Sequence, residues 1–136
     1  MIIGIGVDIT EVDRLRQSVH RYGDRFLNKI FRKEELSSCR SFGMFEENLA
    51  MLFAAKEAVV KALGTGIRDG ILWKDIEITL NDSGDAKMHF SGNCEYAIRD
   101  LGANMHWISM SSTSRHAVAM VVLESTLIKK KDWSED

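Results

Sequence analysis

The chain has 136 residues, 45% of them hydrophobic and 28% charged, with two cysteines, no proline and a formal net charge of −2. That is the size of one ordinary domain with a buried core, too polar for a membrane protein and too apolar for a disordered one. The slightly acidic balance argues against nucleic acid as a partner. No run approaches the ~18 apolar residues that a membrane span requires. The opening Met1-Ile2-Ile3-Gly4 has neither the basic segment nor the long apolar segment of a signal peptide. Cys39 and Cys94 belong to no CxxC or Cys/His cluster, which suits a reducing compartment and places the protein in the cytoplasm.

Residues Ile2 to Thr10 predict a strand. Ile3, Ile5, Val7 and Ile9 alternate onto one face, with Asp8 on the other beside Gly4 and Gly6. Thr10 is the expected N-cap of a helix that starts near Glu11, buries Val12, Leu15 and Val19, and ends at Tyr22-Gly23. A weaker segment, Ile30 to Phe42, holds a short helix around Glu34 to Cys39. The strongest helical pattern covers Glu46 to Leu63, an apolar stripe supported by five alanines and closed by Gly64. Trp73 to Leu80 predicts a strand, Asn81-Asp82-Ser83-Gly84 a turn, and Ala86 to Phe90 the returning strand. Ser91 caps a helix over Gly92 to Leu101. The strands Met105 to Met110 and Ala117 to Leu123 follow, joined by a polar turn. The lysine-rich tail, residues 126–136, is expected to be disordered, leaving a single domain over 1–125. Strands linked mainly as hairpins, with one long helix to cover them, predict an α+β fold: a small antiparallel sheet with helices on one face.

Asp8, where the first strand ends beside two glycines, suits a hard cation or simply the start of the next helix. Gly4 and Gly6 do not form a dinucleotide fingerprint, because the third glycine is replaced by Ile9. Glu57 and Lys61, four residues apart, share one face of the long helix. They form either a surface ion pair or a metal-binding carboxylate beside a phosphate-steadying lysine. The helix runs into Gly64-Thr65-Gly66, whose backbone N–H groups can approach an anion closely. Arg14, Arg21 and Arg25 would align on a continued helix as a basic stripe, either a solvated face or a docking patch. The four histidines show no metal-ligand spacing.

Taken together, Gly4-Ile5-Gly6-Val7-Asp8-Ile9, the following Arg14, the segment Phe53 to Gly66 (FAAKEAVVKALGTG), Trp73 to Ile78 and the strand Ala117 to Glu124 resemble the holo-acyl-carrier-protein synthase family of phosphopantetheinyl transferases. The similarity covers about residues 1–125. The resemblance implies the 4′-phosphopantetheinyl transferase fold and a homotrimer with active sites at subunit interfaces. Asp8 of one subunit would face, or lie close across the boundary to, Glu57 and Lys61 of its neighbour. It implies transfer of 4′-phosphopantetheine from coenzyme A to a serine of an acidic apo-acyl carrier protein, releasing 3′,5′-ADP. Asp8 and Glu57 would hold Mg²⁺; Asp8, Glu57 and Lys61 would be catalytic. Lys61, Gly64, Thr65 and Gly66 would hold phosphate oxygens, and Arg14, Arg21 and Arg25 would receive the carrier.

Three positions depart from the family pattern. Leu52 stands where many relatives have arginine, Ser112 where many have histidine, and Asp85 where a hairpin lysine is usual. Each removes a basic group from the region expected to touch coenzyme A. The alternatives are therefore a catalytically weakened member that binds without efficient turnover, and an unrelated Mg²⁺-dependent phosphate enzyme.

Overall fold

The computed structural model describes residues 1–64 and 70–127. β1 (Ile2–Glu11) leads through α1 (Val12–Tyr22) and α2 (Asp24–Ile30) to α3 (Lys33–Ser41) and the 19-residue α4 (Phe45–Leu63). A short 3₁₀ turn (Trp73–Asp75) precedes the hairpin β2 (Ile76–Leu80) and β3 (Ala86–Phe90). Then come α5 (Gly92–Leu101), β4 (Met105–Ser112) and β5 (His116–Glu124). The α+β expectation holds, with one refinement. Among the described residues the strands form two antiparallel sheets, a three-stranded one ordered β1-β5-β4 and the separate hairpin β2-β3.

Small residues on one face of the larger sheet let α4 lie almost against its backbone. That face presents Gly4, Gly6 and Asp8 from β1 beside Leu123, Val121 and Ala119 from β5. α4 answers with Ala54, Ala55, Ala58 and Ala62, all nearly solvent-free. The approach leaves no room for a side chain: a Cβ built on Gly6 would sit 1.8 Å from the Ala58 carbonyl oxygen, and one on Gly4 2.3 Å from that of Ala62. Glycine is used at these positions for close approach and not for a special φ. The alternation of β1 is therefore inverted relative to an ordinary half-buried strand. Its Gly and Asp face packs inward, while Ile5, Val7 and Ile9 face out.

Several local expectations need correction. Thr10 does not cap α1; Glu11 occupies the N-cap position, and the Thr10 hydroxyl donates instead to Asp8 Oδ2 at 3.3 Å. Trp73 to Asp75 form a 3₁₀ turn instead of the first residues of a strand, because the Asp75 carboxylate caps the Leu72 N–H at 3.0 Å and curls the chain. Gly23, at φ 56° and ψ −136°, separates α1 from α2, so Arg25 belongs to a second helix. The expected disordered tail falls largely on residues 128–136, which lie outside the described residues. Before them, Thr126 exchanges two hydrogen bonds with Asn104.

Candidate active site

The C-terminal halves of β1 and α4 bring three predicted residues together. Asp8 points inward, its side chain 10% exposed, and the Lys61 ammonium donates to its Oδ1 at 2.8 Å and to the Val7 carbonyl at 3.2 Å. Glu57 lies one helical turn before Lys61 on the same face of α4. Its carboxyl is held above the usual carboxylate range, first by partial burial, then by the charge and hydrogen bonding of Asp8. Lys61 and Arg14 pull it back the other way. Lys61 itself is held above its ordinary value, chiefly by its hydrogen bond to Asp8.

All three groups come from one chain. This corrects the expectation that Asp8 faces Glu57 and Lys61 across a subunit boundary: the close glycine packing of β1 on α4 already seats them side by side.

A cleft of about 350 Å³ opens beside the pair, lined by Thr10, Arg14, Ser18, Phe26 and Phe53 together with Asp8 and Glu57. Arg14 is thus brought to the carboxylates. Arg21 and Arg25 are exposed on the neighbouring surface of α1 and α2 and line no part of this cleft. Gly64 ends α4 in the left-handed conformation at φ 76°. Thr65 and Gly66 lie outside the described residues.

The Asp8 charge that raises the proton affinity of Glu57 also favours a cation beside it. Among the described residues no cluster of three or more potential metal ligands occurs. Mg²⁺ asks for no more, since it commonly takes one or two carboxylates and completes its shell from water and substrate phosphates. The donor set fits such an ion.

A sequence profile of the 4′-phosphopantetheinyl transferase superfamily matches residues 4–121. The chain belongs to this family. It is 44% identical over 124 residues to the holo-[acyl-carrier-protein] synthase of Koribacter versatilis, covering 91% of this chain and 99% of that one. Among solved structures, the holo-[acyl-carrier-protein] synthase of Neisseria meningitidis superposes with a TM-score of 0.82 at 33% identity, covering 92% of this chain and 100% of that one. That of Bacillus anthracis, in complex with CoA (3′,5′-ADP), gives 0.74 at 34% identity, covering 93% and 99%. As a phosphopantetheinyl transferase, the chain places the inward carboxylate of its GIGVD strand against the Glu and Lys of its FAAKEAVVK helix.

The family departures look different in three dimensions. Leu52 is fully buried in the core, so the missing arginine leaves no gap in an exposed basic surface of this chain. Ser112 is half-buried at the end of β4, and Asp85 is exposed at the hairpin turn. Sequence reasoning gave no role to Lys56 and Glu35, both fully buried and ion-paired at 2.9 Å. Burial pushes the Glu35 carboxyl up and the Lys56 ammonium down, and each partner opposes the shift of the other. The signal was present: Lys56 sits on the stripe Leu52, Lys56, Val59, Leu63, at the spacing of a buried helix face.

Proposed function

We propose that the protein transfers 4′-phosphopantetheine from coenzyme A to a serine of an apo-acyl carrier protein. The observation that carries this reading is the juxtaposition of Asp8, Glu57 and Lys61, with both carboxylates lining one cleft, in a chain matched over nearly its whole length by holo-[acyl-carrier-protein] synthases.

The serine Oγ attacks the phosphorus that bears the pantetheine arm. The bond from that phosphorus to the bridging oxygen breaks, and 3′,5′-ADP leaves with the electron pair. Glu57 takes the proton from the serine Oγ. Lys61 turns from Asp8 to the phosphate oxygens, where negative charge develops; with 55% of its side chain exposed it has the freedom to do so. Asp8 and Glu57 would hold Mg²⁺, which would supply charge neutralisation at the pyrophosphate. Little covalent work falls to the protein, so positioning governs the rate. Lys61 and the Gly64-Thr65-Gly66 backbone contact phosphate. Arg14, Arg21 and Arg25 orient an acidic carrier, with Arg14 nearest the carboxylates.

The protein acts as a homotrimer in this reading, with active sites at subunit boundaries. Support comes from the outer face of the three-stranded sheet. Ile5, Val7, Ile9, Trp107, Val118 and Met120 are 37–65% exposed on neighbouring strands, an apolar surface that isolated monomers rarely leave bare. Residence in the cytoplasm belongs to the same reading, supported by two free, buried cysteines and by the absence, among the described residues, of a helix long and apolar enough to cross a membrane.

Release of 3′,5′-ADP, followed by chromatography, tests the reaction. It should require coenzyme A, a divalent cation and the carrier serine together. Equal release with a carrier whose serine is replaced by alanine would contradict it.

A further inference from the structure

Asp8 stands on the inward face of β1, where the neighbouring strand offers its carboxylate nothing polar. In the ladder Asp8 lies opposite Ala119 and Thr10 opposite Ala117, and both alanines are fully buried. Among the described residues, and apart from Glu57, two side chains donate to the Asp8 oxygens: the Lys61 ammonium to Oδ1 at 2.8 Å and the Thr10 hydroxyl to Oδ2 at 3.3 Å. Glu57 can donate only as the protonated acid; as an ionised ligand it accepts alone.

The two donors differ in what they can hold. Lys61 ends a long side chain that is 55% exposed, and the reaction proposed above draws its ammonium to phosphate. Thr10 is short, half-buried and β-branched, so its χ1 is stiff. The chain is tied on either side of it, by the pairing of β1 with β5 and by the Val12 N–H on the Arg115 carbonyl at 2.9 Å. A spacing of two residues sets Thr10 beside Asp8 on the same face of the strand. The hydroxyl has no duty at the start of α1, where Glu11 is the N-cap and no side chain caps the helix. Packing does not call for it either, since valine suits a half-buried strand position equally well.

We propose that Thr10 is a positioning residue for Asp8: its hydroxyl fixes the plane of the carboxylate and keeps it aimed at the cleft beside Glu57 once Lys61 has moved away. The inference rests on the reading of Asp8 and Glu57 as the carboxylates that would hold Mg²⁺. Hydrogen bonds to a ligating carboxylate orient it for the ion, and their loss commonly costs about 10–100-fold in metal affinity or activity. At 3.3 Å the Thr10 bond is long, which puts its effect at the lower end of that range. Thr10 also lines the cleft, so direct contact with the carrier is the competing role.

Thr10→Val removes the hydroxyl and keeps the shape; Thr10→Ser keeps the hydroxyl and drops the methyl group. Should Thr10→Val fail to fold, Thr10→Ala takes its place, since alanine and serine differ by that hydroxyl alone. Each protein is followed by thermal unfolding, by electron paramagnetic resonance of Mn²⁺ binding without coenzyme A or carrier, and by steady-state kinetics. For Thr10→Val the proposal predicts a cooperative fold, with Mn²⁺ affinity and kcat each lowered about tenfold and the carrier KM changed less than about twofold. Thr10→Ser should bring both back to within about threefold of the parent. Parent Mn²⁺ affinity in Thr10→Val overturns the proposal. So does a Thr10→Ser protein as impaired as Thr10→Val, which would assign the effect to the methyl group. A raised carrier KM at unchanged Mn²⁺ affinity also overturns it and makes Thr10 a wall of the carrier site. A parent protein that binds Mn²⁺ but transfers nothing sinks the function proposed above and leaves the Mn²⁺ comparison to decide the role of Thr10. A parent that binds no Mn²⁺ overturns the proposal with its premise.

Discussion

Gly6→Ala tests the physical basis of the site without touching a charged group. The added Cβ would stand 1.8 Å from the Ala58 carbonyl oxygen and 2.8 Å from the Ala62 nitrogen, both backbone atoms of α4. Ordinary van der Waals contact begins at 3.4 Å, so helix and strand must separate by about 1.6 Å. Neither neighbour is a flexible side chain that can swing aside. Overpacking of this kind costs about 1–3 kcal/mol or more, which for a domain of this size lowers Tm by roughly 3–10 °C. The functional loss should be larger than the stability loss implies. The same movement opens the 2.8 Å contact between Lys61 and Asp8 and carries Glu57 away from Asp8, and ~1 Å of misplacement at a reacting centre costs about 100-fold. Turnover assayed well below the melting temperature should therefore fall by about that factor. A Gly6→Ala protein with the parent Tm and the parent turnover would refute the argument that backbone-to-backbone packing sets the site.

Three further outcomes follow from the geometry. In metal-free protein, the raised Glu57 carboxyl means that the folded state holds this proton more tightly than the unfolded chain, so ionising Glu57 costs stability. That cost is absent below the ordinary value of 4.5 and grows as pH rises through the raised one. Glu57→Gln in EDTA should therefore match the parent's Tm in acid and exceed it at neutral pH; a lower Tm at neutral pH would contradict this. Lys61 competes with any cation for the Asp8 carboxylate, in a pair whose ammonium is more than half exposed and which is worth only about 0.2–1 kcal/mol. Lys61→Met should bind Mn²⁺ about two- to fivefold more tightly without coenzyme A, as read by electron paramagnetic resonance, although turnover is lost. Arg14→Ala should raise the carrier KM by about tenfold at low salt and less at high salt, as expected when a charge steers an acidic partner; a larger change in the coenzyme A KM would show that Arg14 serves the nucleotide instead.

Much of the fold was legible in the sequence because its signals are local. The alanine-rich stripe of α4, the Gly64 stop and the Asn81-Asp82-Ser83-Gly84 turn each declare themselves within a few residues, and the structure places them where the pattern does. The site was legible differently. Asp8, Glu57 and Lys61 stood out through the family pattern, yet their seating within one chain follows from glycine-to-helix contact that no periodicity reveals. α2 escaped notice because Asp24–Ile30 spans only two turns. The division of the strands into two sheets is a long-range pairing choice, and β2 satisfies its open edge with side chains from elsewhere in the chain. The outward apolar face of β1 was visible as alternation, but the side that packs on α4 is decided by Gly4 and Gly6.

The central claim is that this chain moves a phosphopantetheinyl group onto a carrier serine using the Asp8, Glu57 and Lys61 constellation. Intact-mass spectrometry of an apo-acyl carrier protein incubated with the protein, coenzyme A and Mg²⁺ tests it most directly. The account predicts a gain of one phosphopantetheinyl group per carrier, abolished by EDTA and by Glu57→Gln. No mass gain across several apo-carriers, or a gain that Glu57→Gln leaves intact, would contradict it.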